Sequence, residues 1–115
     1  MHERSARVLA REISSKLRKE GMPIHPVSLR DGFVVVAVGR GENRMLVWIR
    51  TSPITKKSCE LAKKIIGKYQ HKKSIVLEFY ELADLVEPKE MHIEKVGNTD
   101  EAIEAIKKHL SASAE

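Results

Sequence analysis

The sequence predicts a single domain of the mixed α/β class, in which helices flank a central sheet. Three strand-like runs follow one another with short turns between them, and helical patterns lie on both sides of this group. The predicted element order is α-β-β-β-α-β, followed by a further strand and a C-terminal helix. Residues 1–115 suffice for one hydrophobic core, and no repeat or Pro/Gly-rich linker divides them.

The first helix is predicted over 3–19, where apolar residues recur at helical spacing, and Gly21 and Pro23 end it. At about 100° per residue, the arginines of this helix share the face opposite the apolar one. They are Arg4, Arg7, Arg11 and Arg18. No acidic residue shares their stripe, so this face is either an ordinary solvent surface or a contact surface for phosphates.

The three runs that follow are predicted to be strands, at 24–29, 32–39 and 44–50. Because the turns between them are short, we expect an antiparallel meander. Pro26 predicts that the first strand lies at an edge of the sheet or contains a bulge. The second strand is apolar without alternation, which predicts a central strand covered on both faces.

The rest of the chain returns to alternating helix and strand. Ser52 caps a predicted helix that has Pro53 in its first turn and continues to about Tyr69. Strands are predicted at 74–80 and 91–96. The last helix starts at a capping-box pattern, Asn98 with Glu101, and reaches about Leu110.

The charge is distributed unevenly along the chain. Residues 1–73 contain 17 Lys and Arg against 6 Asp and Glu, whereas residues 74–115 contain 4 against 10. The basic part predicts a surface for nucleic acid. The alternative is that the two halves attract each other across the fold.

The stretch VVVAVGRGENRMLVWIRTS resembles the strand pair of the restriction-endonuclease-like, or PD-(D/E)xK, nucleases, in particular archaeal Holliday-junction resolvases. Those enzymes have a pair similar to Pro-Asp-Val-Val-Ala-Gly, a short turn, and Leu-Ala-Ile-Glu-Val-Lys-Ser-Thr. The strand pair matches over the same length without a gap, and the resemblance in element order and strand spacing extends from Glu3 to about Tyr80. It implies an α-β-β-β-α-β core with an extra C-terminal helix. The N-terminal domain of an RNA-polymerase subunit has a similar fold.

The resemblance also implies that the catalytic residues of these nucleases are replaced in this chain. These nucleases hold a divalent metal with carboxylates on two neighbouring strands and keep a lysine nearby. Val35 and Trp48 stand at the carboxylate positions and Arg50 at the lysine position. We therefore expect no catalytic residues, no metal and no cofactor. Trp48 either fills the volume of the lost site or, if exposed, serves as a stacking platform.

The function expected is that of a non-catalytic pseudo-nuclease that binds the phosphate backbone, as an accessory factor in DNA repair or recombination. Duplex or branched DNA is the favoured ligand, with structured RNA as the second class. The resemblance to dimeric resolvases implies a homodimer. The expected contacts are Arg4, Arg7, Arg11, Arg40, Arg44, Arg50, Lys56, Lys57, Lys63 and Lys64.

Two other functions remain open. The first is an adaptor that docks a protein partner of a larger nucleic-acid-processing complex through the acidic C-terminal helix. The second is a Mg²⁺-dependent nuclease with relocated acids, for which Asp31, Glu42 and Glu60 are the candidates.

The remaining sequence features concern compartment and metal. The single cysteine, Cys59, fits a reducing compartment, and the absence of a signal peptide or long apolar run predicts a cytoplasmic protein without a membrane contact. The low Asn and Gln content is typical of thermophiles. The five histidines are scattered and lack a Cys partner or an i,i+4 pair, which argues against zinc.

Overall fold

The computed structural model describes residues 5–30, 33–41, 44–51, 60–61, 64, 73–79 and 92–113. The mixed α/β class is confirmed. The helices with defined bounds are α1 (Ala6–Lys19) and α2 (Thr99–Ser113), and the strands are β1 (Ile24–Arg30), β2 (Phe33–Val38), β3 (Met45–Arg50), β4 (Lys73–Phe79) and β5 (His92–Val96).

The five strands form one sheet in chain order, β1-β2-β3-β4-β5. The first three pair antiparallel, as the short turns predicted, while β3–β4 and β4–β5 pair parallel. In β1 the register shifts between Pro26 and Ser28, and this strand lies at one edge of the sheet. Both expectations for a proline in a strand are met here, because proline cannot donate a ladder hydrogen bond.

The two faces of the sheet have separate cores because successive side chains of a strand point to opposite faces. On one face, Val34, Val36 and Val38 of β2 pack with the apolar residues of α1 and α2. On the other face, Val35, Leu46, Trp48 and Val76 form a second cluster. The central, doubly covered position predicted for β2 is thus confirmed.

The segment between β3 and β4 is described only in part. Glu60, Leu61 and Lys64 have helical backbone, and Leu61 packs against the second cluster. The rest of the helix predicted from Ser52 to Tyr69 lies outside the described residues.

Local hydrogen bonds fix the ends of the helices. The first helix begins at Ala6, later than predicted, because Ser5 has extended backbone and its Oγ accepts a hydrogen bond from Val8 N at 3.2 Å. Gly21, at φ 80°, ends it in a Schellman motif with Met22. In α2, Glu101 N donates to Asn98 Oδ1 at 2.9 Å, as the capping pattern predicted. Within the described ranges, no helix is both long and apolar enough to cross a membrane.

Candidate functional site

The three positions that the sequence resemblance aligns with nuclease catalytic residues, Val35, Trp48 and Arg50, lie together on the second face of the sheet. In the β-ladder, Val35 is directly opposite Trp48, and Trp48 is next to Val76 of β4. Arg50, two residues after Trp48, is on the same face and pairs in register with Glu78. All of these side chains are buried.

Trp48 fills this part of the interior. Its exposed fraction is 0%, and it packs with Val35, Leu46 and Val76. Of the two roles considered from the sequence, only the packing role fits this burial. A stacking platform for bases would require an exposed ring.

Arg50 is also buried and lies 3.6 Å from Glu78, between Nη1 and Oε2. Both charges are removed from water, which costs several kcal/mol per ion unless each is compensated by the other. The expectation that Arg50 contacts phosphate is therefore wrong for this structure, since a direct contact requires an exposed guanidinium. The carboxylate on β4 that compensates it lies in the next strand of the ladder and could not be found from the local sequence.

A basic groove runs along α1 next to β1 and β2. We use this name for the cleft of about 630 Å³ that contains Arg7, Arg11, Arg18 and Lys19. None of the described residues that line it is a carboxylate. Its polar lining is completed by Ser14 and Ser15, and its floor by Ala10, Pro26 and Val36. Two of the predicted phosphate contacts, Arg7 and Arg11, are exposed here.

The turn after β2 extends the positive surface beyond the end of α1. Gly39 N donates to Pro23 O at 3.0 Å, and Arg40 Nη2 donates to Gly21 O at 2.6 Å. These bonds place Arg40 beside the C-terminal end of α1, which is where Arg18 and Lys19 lie.

The other predicted contacts have different outcomes. Arg44 and Lys64 are exposed, as phosphate contacts require. Glu60, a candidate relocated acid, is exposed as well. The remaining predicted residues lie outside the described part of the chain: Arg4, Lys56, Lys57 and Lys63 among the contacts, and Asp31 and Glu42 among the acids.

Part of the positive charge of α1 is neutralised by α2. Lys16 Nζ lies 2.9 Å from Asp100 Oδ1. A second pair between the two helices has the opposite polarity, since Lys107 of α2 pairs with Glu20 at the end of α1. The predicted attraction between the basic and acidic halves is therefore present at Lys16, on the side of α1 that faces α2. The groove arginines are on another side of the helix.

At the opposite edge of the sheet, β5 and α2 form a His–Glu–His cluster of His92, Glu94 and His109. Glu94 Oε1 lies 2.9 Å from His92 Nε2 and 2.8 Å from His109 Nε2. The two imidazole centroids are 4.6 Å apart. Hydrogen bonds from His109 and His92 lower the pKa of the Glu94 carboxyl against the opposing effect of burial.

Sequence reasoning missed this cluster. It treated all five histidines as scattered, which is wrong for His92 and His109. A weak signal was present, because His92 and Glu94 alternate in a predicted strand and therefore share a face. The third member lies 15 residues further along, on another element.

No protein-family model matches the chain, and neither the curated proteins nor the solved structures contain a match.

Proposed function

We propose that the protein is a non-catalytic nucleic-acid-binding protein with a restriction-endonuclease-like fold, which holds the phosphate backbone along α1. The observation that carries this proposal is the basic groove, in which four exposed cationic side chains of α1 line one cleft. Phosphate contacts of this kind supply sequence-independent affinity.

The spacing of the cations suits a polyanion. Arg7, Arg11 and Arg18 occupy positions i, i+4 and i+11 on α1. At about 1.5 Å per residue, they span roughly 16 Å of the helix axis. This matches the rise of about five base pairs, at roughly 3.4 Å each, so the row can meet several phosphates of one strand. A single small anion would use only part of it.

The second face of the sheet supports the non-catalytic part of this proposal. Metal-dependent cleavage needs carboxylates that converge on a site open to water. Val35 and Trp48 fill the corresponding positions with buried apolar groups. The carboxylate of this face in the described strands, Glu78, is buried against Arg50 rather than presented to a metal.

The adaptor function receives less support from α2. Its apolar residues are buried against the protein's own sheet: Ala102, Ile103, Ala105 and Ile106. A docking helix would keep such residues exposed for the partner. These contacts favour α1 over α2 as the working surface. A role in repair or recombination of duplex or branched DNA, as a homodimer, is the part of the proposal that rests on the resemblance to resolvases.

The experiment is fluorescence anisotropy with labelled duplex, four-way junction, single strand and structured RNA. Each probe is titrated at several salt concentrations, with Mg²⁺ and with EDTA, and is then checked for cleavage. We expect binding that weakens steeply with salt, does not depend on Mg²⁺ and leaves every probe intact, with the tightest binding to duplex or junction DNA. Failure to bind any probe at low salt would refute the proposal. Mg²⁺-dependent nicking that is lost in Glu60→Ala would instead support the nuclease with relocated acids.

A further inference from the structure

The His–Glu–His cluster is separate from the basic groove, since it is built by β5 and α2 at the other edge of the sheet. From its geometry we infer that His92, Glu94 and His109 bind one divalent transition-metal ion, with Zn²⁺ as the fitting ion. This inference concerns a second site and does not depend on nucleic-acid binding.

The three ligand atoms converge from two elements of the fold. His92 and Glu94 are alternate residues of β5 and so point to the same face, and His109 reaches them from α2. Their ligand atoms lie within 4.8 Å of one another, and both Nε2 atoms are within 2.9 Å of the same carboxylate oxygen.

The distances are close to those of a metal centre. Zinc bonds to His nitrogen and carboxylate oxygen are about 2.0–2.2 Å long, so ligand atoms in a tetrahedral site are roughly 3.4 Å apart. The distances from Glu94 Oε1 are 2.9 and 2.8 Å, and the largest separation in the cluster is within 4.8 Å. Small side-chain rotations, without movement of the backbone, would open the two hydrogen bonds and accommodate the ion.

The donor set selects the kind of metal. Two imidazoles and one carboxylate suit zinc and its neighbours in the transition series, whereas Mg²⁺ and Ca²⁺ prefer oxygen ligands. In the metal-bound form each Nε2 would bond to the ion through its lone pair, with the proton of the neutral ring on Nδ1. A proton carried by Nε2 before binding would move to Nδ1 through solvent or, from a doubly protonated ring, be released to solvent. The exposed side-chain fractions are 56% for His92, 26% for Glu94 and 13% for His109, so the fourth position opens to water.

The ion would also strengthen the edge of the sheet. Without it, β5 is joined to α2 within this cluster by the hydrogen bond between Glu94 and His109. Metal bonds from both elements would cross-link the strand to the helix. Since the ion binds the folded chain, its addition should raise the thermal midpoint of unfolding.

The test uses the full chain in a Cys59→Ser background, which removes the thiol as a competing ligand. Zn²⁺ is titrated by calorimetry, and Co²⁺ is used as a spectroscopic probe, because its visible absorption reports tetrahedral coordination. The parent should bind one ion per chain, with tetrahedral Co²⁺ bands and a raised thermal midpoint. His92→Ala and Glu94→Gln should each weaken binding by about tenfold or more, by analogy with the loss of supporting groups at known metal sites.

The matched control is His25→Ala, which removes an exposed histidine from β1 at the other edge of the sheet. It should keep the stoichiometry and affinity of the parent. Circular dichroism establishes that each variant is folded, and His92→Ala is the mildest change because this side chain is the most exposed of the three. Absence of Zn²⁺ binding by the parent, or equal affinity in the parent and in both ligand variants, would overturn the site and leave a hydrogen-bonded cluster only.

Discussion

The two faces of the sheet differ although the same strands build both. The face under α1 and α2 has an apolar core that is mostly aliphatic, with Val34, Ile75 and Leu77 among its buried residues. The opposite face contains a buried tryptophan and a buried ion pair, Arg50 with Glu78. The first face supports α1, whose outer surface is basic, whereas the second face has buried side chains at the positions that the sequence resemblance aligns with a nuclease metal site.

Because of this difference, we expect the stability of the domain and its affinity for nucleic acid to depend on different residues. By the sequence resemblance to nucleases, the face that carries Trp48 would be the working surface. In this structure the cationic side chains of the basic groove lie outside the sheet, on α1. Substitutions in the sheet face should therefore change the stability of the protein, while substitutions on α1 should change its affinity for nucleic acid.

The largest effect is expected for Trp48→Ala. This change removes the largest fully buried side chain and leaves a cavity beside Val35 and Val76. Loss of a buried aromatic residue costs about 3–5 kcal/mol of the free energy of unfolding. Urea unfolding measures it, with Val8→Ala as control, because Val8 is 41% exposed and its truncation should change stability little. A similar loss in both variants would contradict the packing role.

The buried ion pair of Arg50 and Glu78 distinguishes the second face from the apolar first face, and its contribution to stability can be measured. Glu78→Leu leaves the buried guanidinium of Arg50 without this carboxylate, which should cost about 3–5 kcal/mol. The double variant Arg50→Met/Glu78→Leu removes both charges and should recover most of that loss. Urea unfolding is measured for the parent, the single variant and the double variant. A double variant as unstable as the single one would show that Arg50 contributes through its packing and not through its charge.

A smaller effect is expected at the start of α1. Ser5→Ala removes the Oγ that accepts the hydrogen bond from Val8 N, and a lost N-cap costs about 1 kcal/mol. The groove arginines remain, so the affinity of the folded protein for nucleic acid should stay unchanged. Thermal unfolding and anisotropy measure the two quantities, and Ser111→Ala on the exposed side of α2 is the control. A marked loss of affinity at temperatures where the variant is folded would link the cap to binding.

The α/β class and several of the described elements could be predicted from local sequence patterns, whereas the sites could be predicted only in part. Pro26, the apolar second strand and the Asn98–Glu101 pair each act over a few residues, and each prediction from them is confirmed. The contact of Arg50 with Glu78 depends on the parallel register of β3 and β4, which no local pattern specifies. The His–Glu–His cluster likewise depends on how α2 docks on β5, so a search for short spacings could not find it.

The central claim, that α1 is the nucleic-acid surface, is tested most directly by the salt dependence of binding. The double variant Arg7→Ala/Arg11→Ala is compared with Lys95→Ala/Lys108→Ala, which removes the same charge from exposed positions on β5 and α2. Affinity for duplex DNA is measured by anisotropy over a series of salt concentrations. The slope of log K against log salt is negative, and we expect its magnitude to decrease by about 2 in the arginine variant, roughly 0.9 per lost phosphate contact. In the lysine variant the slope should stay near the parent value. Equal slopes in the parent and the arginine variant would contradict the claim.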